Sequence, residues 1–129
     1  MKRLSPILMT LLLLFGCAKQ SAENTYRQIT MEEAVTMMKE ETGYIILDVR
    51  TPQEYNEKHI PGAINIANES IGTEDISALT DKDQLILVYC RSGNRSKQAS
   101  EKLVKLGYTN TIEIGGINSW PGETVSGDK

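Results

Sequence analysis

Two short apolar runs, Tyr44-Ile45-Ile46-Leu47-Asp48-Val49 and Leu85-Ile86-Leu87-Val88-Tyr89, interrupt a largely polar chain. Their length and their Ile and Val content predict strands buried on both faces. Residues 62–67 (Gly-Ala-Ile-Asn-Ile-Ala) and 111–114 (Thr-Ile-Glu-Ile) read as weaker strands. Between these runs the spacing becomes helical. Thr30-Met31-Glu32-Glu33 fits a capping box that opens a helix to about Glu40, with Gly43 shortly after its end. Thr51-Pro52-Gln53-Glu54 fits a second box, with Pro52 at the favoured first helical position. Residues 96–106 place Ala99, Leu103 and Leu106 on one face, and Gly107 supplies the stop. Gly115 to Glu123 reads as a turn and a short helix stopped by Pro121. Strands alternating with helices predict an α/β domain built around a mainly parallel sheet.

The N-terminus follows a different pattern. Residues 1–16 combine a basic start, an apolar run from Ile7 to Phe15 and a small residue, which is the anatomy of a signal peptide. The run is short of the ~20 apolar residues a spanning helix needs. Leu14-Phe15-Gly16-Cys17 resembles the lipobox of bacterial lipoproteins, which implies a diacylated Cys17. Residues 17–27 then read as a lipidated cysteine and polar tether, residues 28–122 as one domain and residues 123–129 as a polar tail. The expectation is an exported, membrane-anchored lipoprotein that faces away from the cytoplasm. Two acyl chains suffice for stable anchoring.

Composition narrows the function. The 129 residues carry 14 basic and 17 acidic side chains, so nothing suggests a nucleic-acid footprint. One histidine and two cysteines give no support for a metal site, and no cofactor is expected. If lipidation takes Cys17, Cys90 is left without an intramolecular partner.

Cys90 is also where the chemistry concentrates. It directly follows a predicted strand and opens the loop Cys90-Arg91-Ser92-Gly93-Asn94-Arg95 before a helix. In parallel α/β sheets this edge is where ligands bind. A helix N-terminus, loop amides and two arginines would each favour thiolate over thiol. Asp48 and Arg50 end the other strong strand and reach the same edge. A structural cysteine, by contrast, sits among apolar groups and is inert.

These residues resemble the single-domain rhodanese family. The resemblance runs from about Gln28 to Gly122. It rests on Asp48-Val49-Arg50, on His59-Ile60-Pro61-Gly62-Ala63, on the Cys90 loop and on Gly115-Gly116-Ile117-Asn118-Ser119-Trp120. It implies a rhodanese-like α/β fold with helices on both faces of the sheet. It also implies a sulfurtransferase that carries sulfur from thiosulfate or a similar anion to a thiophilic acceptor as a Cys90 persulfide. Arg91, Ser92, Gly93, Asn94 and Arg95 would form the anion cradle, with Asp48 and Arg50 in supporting roles. Family phosphatases and arsenate reductases have a Cys-x5-Arg loop, whereas Arg95 gives Cys-x4-Arg, which argues against those activities. The alternative from another class is a non-catalytic binding or thiol-redox sensing module. A monomer is expected. His59 and Trp120 read as structural, and Glu32, Glu33, Glu40 and Glu41 as solvated helix faces. The sequence offers no obvious general base for Cys90.

Overall fold

A computed structural model describes residues 24–128. The signal peptide at 1–16, the lipidation of Cys17 and most of the tether therefore lie outside the described residues. Five strands, β1 (Arg27–Gln28), β2 (Ile45–Asp48), β3 (Ile64–Asn65), β4 (Ile86–Cys90) and β5 (Thr111–Gly116), form one sheet in the order β1-β5-β4-β2-β3. Every pairing between these strands is parallel. The helices are α1 (Met31–Glu40), α2 (Pro52–Glu57) and α3 (Asn94–Lys105). Thr30 and Thr51 both form complete capping boxes, with Glu33 and Glu54 as the reciprocal partners. The solvated face read at Glu32 and Glu33 thus has one member, Glu33, that also closes a cap.

Period-two alternation along the strands divides the core. Ile46, Leu87, Tyr89, Ile112 and Ile114 point to the side covered by Met31 and Ala34 of α1, with Tyr55 of α2 packed alongside. Leu47, Ile86, Val88 and Cys90 point to the side covered by Ala99 and Leu103 of α3. β4 is buried along its whole length, as the central strand of a two-faced sheet must be.

Several boundaries differ from those expected. The weak strand at 62–67 contracts to Ile64–Asn65, because Gly62, in the left-handed region at φ +88°, turns the chain just before it. The strand at 111–114 extends through Gly116, and α3 begins at Asn94, two residues before the apolar face that announced it. The tether does not remain free up to residue 27. Asn24 donates to the carbonyls of Val104 and Tyr108, and Arg27–Gln28 pairs as an edge strand with β5. Residues 123–128, expected as a tail, fold back. His59 and Val125 exchange both backbone hydrogen bonds, and Gly127 N–H donates to Asn56 O.

Candidate active site

Cys90 ends β4, and its residue is 1% exposed. The chain leaves the strand through Arg91 and Ser92 and enters α3 after Gly93, whose φ of +119° lies where glycine is favoured. That conformation points the Gly93 N–H at Cys90 Sγ, at 3.0 Å. The amide and the start of α3 together form a partly positive surround for sulfur.

The loop is held from β5. Cys90 pairs with Gly116 across a register shift after Val88. A Cβ on Gly116 would lie 2.0 Å from Arg91 O and 2.6 Å from Ser92 N, so only glycine lets the loop backbone pass. The next turn, Ile117–Ser119, fixes the same point, since Asn118 N–H donates to Arg91 O at 3.2 Å. The second glycine of the sequence motif thus acts on loop position.

Asp48 and Arg50 support the sheet edge next to this loop. Asp48 is fully buried and Arg50 nearly so. Arg50 Nη2 donates to Asp48 Oδ2 at 2.7 Å and to Lys58 O at 2.7 Å, while Arg50 N–H donates to Asp48 Oδ1 at 2.9 Å. Tyr89 Oη donates to Asp48 Oδ2 at 2.7 Å and accepts from Ile60 N–H at 3.1 Å. Burial pushes the Tyr89 phenol up, and the Asp48 charge adds to the shift. For Arg50 burial is the largest single influence and acts to lower the guanidinium, but the hydrogen bond to Asp48 and the charge of Asp48, with smaller contributions from Tyr89 and Glu54, together outweigh it and the net shift is upward. Tyr89 was not anticipated, although a tyrosine inside a buried strand needs a polar partner. His59 is buried and structural. Its ring stacks on Tyr55 at 3.7 Å, and Nδ1 is 2.8 Å from Tyr55 O.

The cradle arginines divide. Arg95, expected beside the sulfur, reaches away to α2. Its Nη1 and Nη2 donate to Glu54 Oε1 and Oε2 at 2.7 and 3.1 Å, a two-pronged charge-assisted contact. The Arg95 hydrogen bond is the largest influence holding the Glu54 carboxyl down, at about 2. The Arg95 guanidinium is held above its ordinary value chiefly by the Glu54 hydrogen bond, with a minor contribution from the Cys90 charge. Arg91 is exposed and, among the described residues, has no carboxylate partner. With Arg50, Lys58, Glu54, Glu57 and Asn118 it lines a pocket of about 140 Å³. Ser92 and Asn94 are exposed on the loop, and Gly93 is buried.

Ser96, next to the sulfur, and Glu113, one contact beyond it, had no place in the expected site. Ser96, fully buried on the first turn of α3, has its Oγ 3.4 Å from Cys90 Sγ. It also donates to Glu113 Oε2, from the middle of β5. Glu113 is 3% exposed and pairs in register with Val88. The signal available in the sequence was a single carboxylate inside Thr-Ile-Glu-Ile, an otherwise apolar strand.

A family model described as a rhodanese-like domain matches residues 30–123. The thiosulfate sulfurtransferase PspE of Escherichia coli (strain K12) is 39% identical over 71 residues, covering 55% of this chain and 68% of the relative. The thiosulfate sulfurtransferase GlpE of Pseudomonas entomophila (strain L48) is 36% identical over 108 residues, covering 80% and 95%. Among solved structures, a rhodanese with anions from E. coli superposes with a TM-score of 0.60 at 36% identity, covering 65% of this chain and 99% of the other. A rhodanese-like domain from Anabaena sp. gives 0.70 at 27% identity, covering 79% and 80%. Strands β2 to β5, the cysteine loop between β4 and α3 and the Gly116 that braces it all fall within the matched residues, and the chain belongs to the rhodanese-like domain family.

Proposed function

We propose that this protein is a sulfurtransferase of the rhodanese type that carries sulfane sulfur on Cys90. Relatives named thiosulfate sulfurtransferase, at 34–39% identity, support sulfurtransferase activity in general. The observation that carries the finer reading is the Gly93 amide directed at Cys90 Sγ from the start of α3. A sulfur anion at that position gains from an amide donor and a helix N-terminus in a site closed to water. The thiolate attacks the outer sulfur of thiosulfate. A new S–S bond forms at Cys90, the donor's S–S bond breaks, and sulfite leaves with the electron pair. Cyanide or another thiophile then takes the outer sulfur and restores the thiolate. Arg91, exposed on the loop and without a carboxylate partner among the described residues, attracts the anionic donor, and Lys58 adds a second cation without such a partner to a pocket whose lining also holds Glu54 and Glu57.

Steady-state formation of thiocyanate from thiosulfate and cyanide tests the reading. Wild-type protein turns over and Cys90→Ser does not, at unchanged fold. The deep burial of Cys90 is the observation favouring a non-catalytic binding or redox-sensing module. That reading predicts no turnover by reduced wild-type protein. We further propose that the protein is exported and tethered through acylated Cys17. Full-length protein should then label with a fatty-acid probe and partition with membranes, and Cys17→Ser should do neither.

A further inference from the structure

Cys90 on β4 and Glu113 on neighbouring β5 both project to the α3 side of the sheet, and Ser96 of α3 stands between them. Around Ser96 Oγ lie Glu113 Oε2, Gly93 O at 2.9 Å, Gly115 O at 3.4 Å and Cys90 Sγ at 3.4 Å. A hydroxyl has one hydrogen to give. The three oxygens are acceptors, so the thiol is the neighbour able to donate to Ser96. The arrangement therefore runs in one direction, from S–H to Ser96 Oγ and from Ser96 O–H to the carboxylate. Glu113 itself accepts from Gly115 N–H at 2.9 Å and from Gln28 Nε2 at 3.4 Å, and no cation pairs with it among the described residues. A buried carboxylate in that position gains from sharing a proton with a neighbouring acid.

We propose that Glu113 is a positioning residue for Cys90, holding through Ser96 the proton that the thiol gives up. This rests on Cys90 being the sulfur carrier. The S–H bond breaks, its proton passes to Ser96 Oγ, and the Ser96 proton passes to Glu113 Oε2. The site then holds one negative charge, on sulfur, beside a neutral carboxylic acid. Attack on thiosulfate forms the Cys90 persulfide anion and releases sulfite, so atoms and charge balance with Glu113 protonated. Glu113 also lines a cleft of about 330 Å³ with Gln28, Thr30, Glu33 and Lys97. The charged and titratable groups facing this pair are therefore Lys97 from α3, Glu33 from α1 and the neutral Tyr26 phenol from the segment before β1, with the Arg95 guanidinium on α3 close enough to feel the Cys90 charge.

The test is the pH dependence of iodoacetamide alkylation at Cys90 in the full-length protein, read by peptide mass. With a shared proton, the wild-type rate is level over a window of pH between the two steps of the coupled pair and rises again above it. In Glu113→Gln the level window disappears. The rate there climbs about tenfold per pH unit, overtaking wild type at high pH and falling below it at low pH. A second measurement needs no substitution. The ¹³C carboxyl resonance of Glu113 in wild-type protein titrates in two steps, which become one after Cys90 is alkylated. An unchanged alkylation profile in folded Glu113→Gln, or a Glu113 titration indifferent to Cys90 alkylation, overturns the inference. Alkylation requires no sulfur donor. A two-step profile in a protein that takes up no sulfur would thus sink the proposed function and leave this coupling standing.

Discussion

The Arg95–Glu54 pair joins the first turn of α3 to α2, with side chains about one-third and one-quarter exposed. Glu54 also accepts from Thr51 N–H and Thr51 O–H, so the carboxylate serves a helix cap and an ion pair together. Its folded-state value of about 2, against an ordinary 4.5, fixes the sign of the pH dependence. The carboxyl is depressed on folding, so the stabilisation is fully present above pH 4.5 and is lost as pH falls toward 2. Arg95→Met should cost about 0.5–1 kcal/mol at neutral pH, a modest value for a pair this accessible. Urea melts of both proteins should converge as the pH falls through that range. An Arg95→Met deficit as large at pH 2 as at pH 7 would show that packing, not charge, is what Arg95 contributes. Because Arg95 faces Glu54, Arg91→Ala should raise KM for thiosulfate more than Arg95→Met does, and thiosulfate kinetics of the two variants decide this.

Among the elements, the contact between β5 and the Cys90 loop is the one on which site geometry depends. A methyl at position 116 would overlap the Arg91 carbonyl, so Gly116→Ala must displace the loop. Overpacking of this kind costs about 1–3 kcal/mol. The displaced Gly93 amide should lower kcat/KM on the order of a hundredfold in a protein that still melts cooperatively. Gly116→Ala with wild-type turnover would show that the loop has room to adjust. β2, β4 and the three helices were legible in the sequence, since buried strands need uninterrupted apolar runs and both capping boxes lie in contiguous residues. The two-residue β1 was not legible, because Arg27 and Gln28 carry no strand pattern and take their conformation from pairing with β5. The loop cysteine was legible for the same local reason as the caps. Glu113 was not, because its meaning comes from Ser96, which is distant in sequence and meets it only once α3 packs on the sheet. Arg95 misled because loop spacing fixes where a backbone lies but not which carboxylate a long side chain meets. Glu54, four residues beyond Arg50, supplied that partner.

At the scale of the whole molecule, both ends of the described chain close over the sheet. Residues 24–28 cover the β5 edge, and Val125 completes the backbone pairing of buried His59. A chain ending at Gly122 loses that pairing together with the Trp120 Nε1 hydrogen bond to Glu123 O. It should melt at least several degrees below the full-length protein, as a loss of about 1–2 kcal/mol implies. An unchanged melting temperature would mean that residues 123–128 rest on the domain without stabilising it. The central claim, that Cys90 carries sulfur, is tested most directly by the intact mass of the reduced full-length protein after thiosulfate and then after cyanide. The account predicts the gain of one sulfur atom, its removal by cyanide, and neither change in Cys90→Ala. A mass that thiosulfate leaves unaltered, or a gain that persists in Cys90→Ala, would contradict it.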